Sequence, residues 1–239
     1  MNVLLIGYGK MGRTIREILI GRGHTIAGKI TIDNAKDLSK FNSSNTDIAI
    51  EFSNPESAYE NINYCLNNDI PIVSGTTGWL EKKEDIEKLC LQRNGTFFYA
   101  SNFSIGVNIF FQLNKVLARL MVDQKDYHTE IEEVHHTQKV DAPSGTAISL
   151  AEGIIEDSEH STWTMKDDSK PDEIKITAIR KDPAPGTHVV TYTSEVDDIE
   201  IRHTAHSRKG FATGAVLVTE WLVTKKGVLT MDDFLSERE

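Results

Sequence analysis

Gly7-Tyr8-Gly9-Lys10-Met11-Gly12 directly follows the apolar run Asn2–Ile6 and opens a helix-like stretch from about Lys10 to Arg22. A strand that stops on three glycines at this spacing and turns into a helix constrains the fold more than any other feature of the chain. The first glycine permits the tight turn, the second lets the backbone approach a pyrophosphate, and the third lets helix and strand pack closely. Unpaired N–H groups at the helix start then face the anion. Gly7, Tyr8, Gly9, Lys10, Met11 and Gly12 are therefore candidate cofactor-binding residues. The competing reading is a glycine-rich turn in an α/β protein that binds no nucleotide.

The next segments keep the same rhythm. Thr25–Thr31, Asp47–Phe52, Ile70–Ser74 and Thr96–Ala100 read as strands, with helices after Pro55 and over Leu80–Gln92. Pro55 suits a first helical turn, where its missing N–H would have no partner. This alternation predicts a doubly wound parallel sheet of Rossmann type. From Ile105 to Val122, Ile105, Ile109, Leu113, Val116, Leu117 and Leu120 recur at helical spacing and predict an amphipathic helix into a second region. There Glu173–Arg180, Thr187–Ser194 and Asp198–Thr204 follow as strands without intervening helices, which suggests an antiparallel sheet in an α+β region. Ser158–Pro171 reads as a surface loop, and Gly210–Val223 as a helix that packs back on the first domain. The expected organisation is a dinucleotide-binding domain over residues 1-104 and 209-239, with a domain for substrate binding and oligomerisation over 105-208.

The residue after the second strand selects between cofactors, because an acid binds the ribose 2′-hydroxyl and a cation accommodates a 2′-phosphate. Asp33, near the expected place, favours NADH, whereas Lys10, Arg13 and Lys29 could each approach the phosphate of NADPH. Both cofactors stay open. Two further loops, Gly75-Thr76-Thr77-Gly78 and Ala100-Ser101-Asn102-Phe103, fall at strand ends, where ligands of open parallel sheets bind. Gly75, Thr76, Thr77, Ala100, Ser101, Asn102 and Phe103 are cofactor candidates, with plain turns as the alternative.

A net charge of −10 argues against nucleic acid or an anionic membrane surface as partner. No run approaches the roughly 20 apolar residues of a membrane helix. The first residues lack a basic region and a longer apolar stretch, so a cytoplasmic protein is expected. Cys65 and Cys90 show no metal-like spacing and read as reduced thiols. In so acidic a chain an anionic ligand needs a local positive site. The stretch from Glu130 to Ala147 provides one, with His135 and His136 adjacent, Lys139 four residues after the first, and Pro143-Ser144-Gly145-Thr146 at a helix start. Backbone N–H groups around Ser144, Gly145 and Thr146 are available to a carboxylate. Adjacent histidines on an extended segment point to opposite faces, so no metal site is expected.

The run His135-His136-x-x-Lys139-x-Asp141-Ala142-Pro143-Ser144-Gly145-Thr146-Ala147 resembles the signature of the 4-hydroxy-tetrahydrodipicolinate reductases, also called dihydrodipicolinate reductases. Phe52-Ser53-Asn54-Pro55, Gly75–Gly78, Ser101-Asn102-Phe103-Ser104 and Gly210–Ala215 occur in that family's order, so the resemblance spans nearly the whole chain. It implies hydride transfer from NADH or NADPH to a cyclic unsaturated dicarboxylate, which loses its C4 hydroxyl as water. It further implies His135 as proton donor or acceptor, and Lys139 as proton source and carboxylate partner. His136, Ser144, Gly145 and Thr146 would contact substrate, Arg208 and Phe211 would lie near the cofactor, and the protein would be a homotetramer. Glu51 stands where the family commonly has Asp, and Ser101 replaces a common proline or alanine. A different dehydrogenase or a non-catalytic dinucleotide sensor would leave the His-His-x-x-Lys and Pro-Ser-Gly-Thr elements unexplained.

Overall fold

The computed structural model describes residues 1–207 and 209–237. Its first strand, β1 (Asn2–Ile6), buries Val3, Leu4, Leu5 and Ile6 alike, so both faces of the strand must meet other elements. In chain order follow α1 (Lys10–Gly21), β2 (Thr25–Ile30), a 3-10 segment (Ile32–Lys40), β3 (Ile48–Glu51), α2 (Pro55–Asn67) and β4 (Ile72–Ser74). A 3-10 turn (Leu80–Lys82), α3 (Lys83–Gln92) and β5 (Thr96–Tyr99) come next. Then come α4 (Ile105–Met121), β6 (His128–His135), α5 (Gly145–Ile155), β7 (Thr162–Thr164), β8 (Glu173–Arg180), β9 (Gly186–Thr193) and β10 (Asp198–Ala205). Last are α6 (Lys209–Leu222), β11 (Gly227–Leu229) and α7 (Met231–Ser236). The chain divides into two units, Met1–Ile105 with Lys209–Glu239, and Gly106–Arg208.

In the first unit the strands lie in the order β11-β5-β4-β3-β1-β2, and every pair is parallel. The doubly wound sheet expected from the alternation is present. Period-two alternation along β1 splits the core. Val3 and Leu5 pack with Ile15 and Leu19 of α1 and Ala212 and Val216 of α6. Leu4 and Ile6 pack with Ile62 and Leu66 of α2 and Ile86 and Cys90 of α3. Strand order reverses at β1, which opens a crevice at the carboxyl ends of the strands. Helix α2 starts where the Asn54 carbonyl side chain accepts the Ser57 N–H at 3.0 Å and Pro55 takes the first helical position. The three residues of β11 extend the sheet beyond β5. They are too few for sequence periodicity to register.

The second unit holds a five-stranded sheet in the order β10-β9-β6-β8-β7. It is mixed, not purely antiparallel. Strand β9 runs antiparallel to β6 and β10, whereas β6, β7 and β8 are mutually parallel. The cause is the strand–helix–strand path β6-α5-β7, which returns the chain in the same direction. Its short last strand lies inside the polar stretch read as a loop. Ile131, Ile174, Ile176 and Val190 bury one face against Ala147, Leu150 and Ile154 of α5 and Phe110 and Ala118 of α4.

Helix α4 forms where the apolar spacing predicts it. It buries Val107, Phe110, Asn114 and Ala118, while Ile109, Leu113, Val116 and Leu120 are exposed. Apolar residues occur nearly all round this helix, so periodicity picked one stripe and packing chose another. The buried Asn114 side chain is satisfied by donating to the Leu150 carbonyl at 3.0 Å. Among the described residues no helix is long and apolar enough to cross a membrane.

Helix α6 approaches the chain before α4 so closely that a Cβ on Gly214 would lie 1.8 Å from the Phe103 carbonyl oxygen. Gly214→Ala is expected to destabilise the protein by about 1–3 kcal/mol through overpacking. Urea denaturation checks this, and an unchanged midpoint would contradict the contact.

Candidate active site

The turn after β1 is shaped by contact between backbones. Gly7 has φ +91°, and a Cβ there would lie 1.9 Å from the Phe52 carbonyl oxygen. A Cβ on Gly12 would lie 2.2 Å from the Gly7 oxygen. Gly9 differs, because beyond its own chain neighbours no described atom lies within 4 Å of its Cβ position. It precedes α1, which starts without a side-chain cap and without an acid in its first turn. Packing within the protein therefore gives no reason for glycine at 9. Glycine there leaves a bare backbone face at the helix start, the kind of surface that could take a phosphate group. The ring of Tyr8 has Lys29 Nζ at 5.0 Å and the Arg13 guanidinium carbon at 5.8 Å from its centroid. Lys10 is exposed, Met11 packs against the core, and Asp33 is exposed in the first turn of the 3-10 segment.

The loops after β3 and β4 are joined by one carboxylate. Glu51, the last residue of β3, is fully buried. It accepts Ser74 Oγ at 2.6 Å, Thr76 Oγ1 at 2.8 Å and the Ser53 N–H at 2.9 Å, and also the Ser53 hydroxyl. These donors satisfy a charge that would otherwise be costly to bury. The Thr76 hydroxyl is thus committed to the loop itself, and Gly75 lies where a Cβ would come 2.2 Å from the Phe52 ring. Ala100 is buried, and Asn102 Oδ1 accepts the Ser104 N–H at 2.9 Å. Phe103 packs on Phe52 and Phe98, with ring centroids 5.4 and 5.8 Å away. Of the loop candidates, Thr77 and Ser101 are exposed, whereas Thr76 and Phe103 build the framework.

In the second unit the His-His-x-x-Lys stretch begins on β6. Alternation places Glu133 and His135 on the buried face of that strand, with His136 half-buried at the following turn. Glu133 is fully buried. It accepts the Ser144 N–H at 3.2 and 3.1 Å and the Arg180 guanidinium at 3.0 Å. His135 Nε2 lies 3.5 Å from its Oε2. Burial pushes the Glu133 carboxyl up, but the neighbouring His135 and His188 imidazoles and the hydrogen bonds from Ser144 and Arg180 outweigh it and hold the group well below the usual range. Lys139 Nζ lies 2.8 Å from both oxygens of Asp141, whose carboxyl it holds below the usual range. Ser144 caps α5 by accepting the Ala147 N–H at 3.2 Å. Gly145 and Thr146 form the first turn, and no described atom lies within 4 Å of the Gly145 Cβ position.

Sequence reasoning missed the residues that complete this cluster. Arg180 ends β8, and His188 sits on β9, buried to 4 % exposure. Burial lowers the His188 pKa below the ordinary imidazole value. Glu133, His135 and His188 bring ligand-type atoms within 4.8 Å of one another, which the His135-His136 pair alone could not do. A cation there would have to share its carboxylate with the Arg180 guanidinium and the Ser144 N–H, so charge balance is met by the protein itself. The only sequence signal was Gly186-x-His188, a glycine at a strand start, which marks close approach of another group. Arg208 lies outside the described residues, and Phe211 is half-buried in α6.

Residues 1–103 match the family model described as dihydrodipicolinate reductase, N-terminus, and residues 106–235 the one described as dihydrodipicolinate reductase, C-terminus. The chain belongs to the dihydrodipicolinate reductase family. It is 49% identical over 238 residues to the 4-hydroxy-tetrahydrodipicolinate reductase of Christiangramia forsetii, covering 99% of this chain and 98% of that one. The fold is similar to that of a dipicolinate-bound dihydrodipicolinate reductase from Paenisporosarcina sp. TG-14, with TM-score 0.79 and 21% identity over 96% of this chain and 97% of that chain. An aspartate dehydrogenase from Thermotoga maritima shares the fold more loosely, with TM-score 0.53 and 16% identity over 94% of this chain and 97% of that one. The reductase family and its Rossmann-type sheet imply a nicotinamide cofactor, and the open face at Gly9 fits its pyrophosphate.

Because the folded Glu133 pKa is depressed, its stabilisation is present above the unfolded value near 4.5 and is lost as pH falls below it. The stability gap between wild type and Glu133→Gln is therefore expected to be largest near neutral pH and to shrink on acidification. Urea midpoints across that range provide the check. A gap that does not change with pH would mean that the carboxylate charge contributes nothing.

Proposed function

We propose that the chain catalyses the nicotinamide-dependent reduction of 4-hydroxy-tetrahydrodipicolinate to tetrahydrodipicolinate in the lysine and diaminopimelate pathway. The observation that carries this reading is the 49% identity, over nearly the full length of both chains, to a reductase of that name. A nicotinamide bound at the glycine turn would supply the hydride equivalent.

The residues of the second unit suit the remaining chemistry. Lys139 is a mobile point charge for a substrate carboxylate, and it exchanges Asp141 for that ligand. The α5 start offers backbone N–H groups at Gly145 and Thr146 to the other carboxylate, and His136 and Ser144 are assigned to the same substrate. His135, held at Glu133, donates or accepts the proton that accompanies reduction and loss of the C4 hydroxyl. Cofactor contacts fall to Gly7–Gly12, Gly75–Thr77 and Ala100–Phe103. Asp33 favours NADH, while Arg13 and Lys29 at Tyr8 supply positive charge for a 2′-phosphate, so both cofactors are accepted with some advantage for NADH. A cytoplasmic homotetramer is part of the same reading, and the exposed Ile109, Leu113, Val116 and Leu120 are apolar surface that self-association would cover.

Oxidation of NADH or NADPH in the presence of freshly condensed aspartate semialdehyde and pyruvate tests the activity, and no oxidation with either cofactor would refute it. In that assay His135→Gln is expected to lower kcat by about 10² to 10⁴-fold with little change in KM. Lys139→Ala should impair both, since it removes a binding partner and a proton source. Wild-type kcat in His135→Gln would remove that residue from the mechanism.

At Gly9 the Cβ of a valine would enter open space in the unliganded chain. Gly9→Val is expected to fold with a small loss of melting temperature, since valine is a poorer N-cap than glycine, yet bind NADH at least tenfold more weakly, an order-of-magnitude expectation for a side chain set where the pyrophosphate approaches. Calorimetry checks this, and wild-type affinity would mean that the pyrophosphate lies elsewhere.

A further inference from the structure

Two imidazoles meet edge to edge inside the second unit. His135 Nε2 lies 3.3 Å from His188 Nε2, and the ring centroids are 5.1 Å apart. Both rings are buried, at 8 % and 4 % exposure. When both are neutral, two nitrogens this close must take opposite roles, one donating and the other accepting. The tautomer of one ring therefore dictates the tautomer of the other.

The surroundings decide which ring donates. His188 Nδ1 is buried and has no hydrogen-bond partner among the described residues. A buried N–H left without a partner is rarer than an unused lone pair. The His188 proton accordingly sits on Nε2, where it has two acceptors in reach, His135 Nε2 at 3.3 Å and Ser144 Oγ at 3.2 Å. Ser144 Oγ also accepts the Ala147 N–H that starts α5, so the same serine links the imidazole pair to the helix start.

Strand β9 holds the ring in a second way. Gly186 has φ +155°, and a Cβ there would lie 3.0 Å from His135 Cε1. The strand thus supplies a bare backbone as a seat for the His135 ring and, two residues on, the donor that aims it. We propose that His188 is a positioning residue for His135, fixing its ring orientation and leaving its Nε2 as the unprotonated nitrogen in the neutral state. This rests on the assignment of His135 to proton transfer, because a ring with the wrong nitrogen protonated cannot present its proton, or its lone pair, to the reacting group.

The test uses the full-length protein with His188→Leu, which removes the donor, and His188→Gln, whose amide nitrogen extends toward the same position. Nitrogen-15 spectra of histidine-labelled protein read the tautomer directly, without substrate. Wild type is expected to show His135 protonated on Nδ1, and His188→Leu to lose that single tautomer. In turnover, His188→Leu should lower kcat by about tenfold or more, part of what a positioned acid–base group contributes. Its KM should stay within about threefold and its NADH affinity unchanged, because His188 is not proposed to touch either ligand. His188→Gln should recover part of the lost kcat even if its melting temperature is no higher than that of His188→Leu. An unaltered His135 tautomer in His188→Leu would overturn the proposal, as would wild-type kcat in that variant. So would equal kcat losses in both variants. If wild type itself fails to oxidise cofactor with the condensation product, the functional reading falls. The nitrogen spectra still decide the pairing on their own.

Discussion

The buried carboxylate of Glu133 is the interaction on which the second unit's chemistry depends. Removing such a charge from water is costly unless it is paired and hydrogen-bonded. This cost is met by groups from separate places in the chain, namely Arg180 at the end of β8 and the backbone of Ser144 before α5, with the imidazoles of β6 and β9 beside the carboxylate. Arg180 also donates to the Asp141 carbonyl at 2.6 Å, so the guanidinium reaches into the loop that carries Lys139. The loop between β6 and α5 is thereby pinned near its end by one electrostatic demand. Its polar residues face a defined set of partners as a result.

Glu51 plays a comparable part in the first unit with different chemistry. Its partners are hydroxyls and a backbone N–H, with no cation bonded to it among the described residues. A carboxylate ringed by short, uncharged donors ties the ends of β3 and β4 together just where the parallel sheet opens its crevice. The extra methylene of Glu over Asp lets one side chain span from β3 to Ser74 and Thr76. Both units therefore use a buried acid at a strand end to shape the loops that follow.

These two frameworks divide the work of the proposed reaction. The first unit contributes an open backbone turn at Gly9, with the neighbouring glycines fixed by contact. The second contributes a helix start, an exchangeable lysine and a histidine with a determined neighbour. The whole chain is acidic, so the cations that could meet an anionic ligand are few and local. Lys29 and Arg13 gather at Tyr8, and Lys139 waits on Asp141.

Much of this was legible in the sequence, because it is encoded by neighbours along the chain. A strand, three glycines and a helix start lie within a dozen residues. Alternation between strand and helix specifies a parallel sheet through local propensity and connection length, and the His-Lys loop is contiguous. The second sheet was misread because strand direction depends on how β6-α5-β7 returns, and β7 is only three residues long. The sequence left open which stripe of α4 is buried, because two stripes satisfy the same helical period, and only packing against the sheet and α5 chooses between them. His188 and Arg180 were missed because they stand more than forty residues from Glu133 and meet it only through strand register. By itself the sequence determined the turn, the alternation and the contiguous His-Lys loop, since these follow from adjacency. The tertiary structure alone decided which faces are buried and which distant groups satisfy a buried charge, because burial and hydrogen bonding act across space and not along the chain.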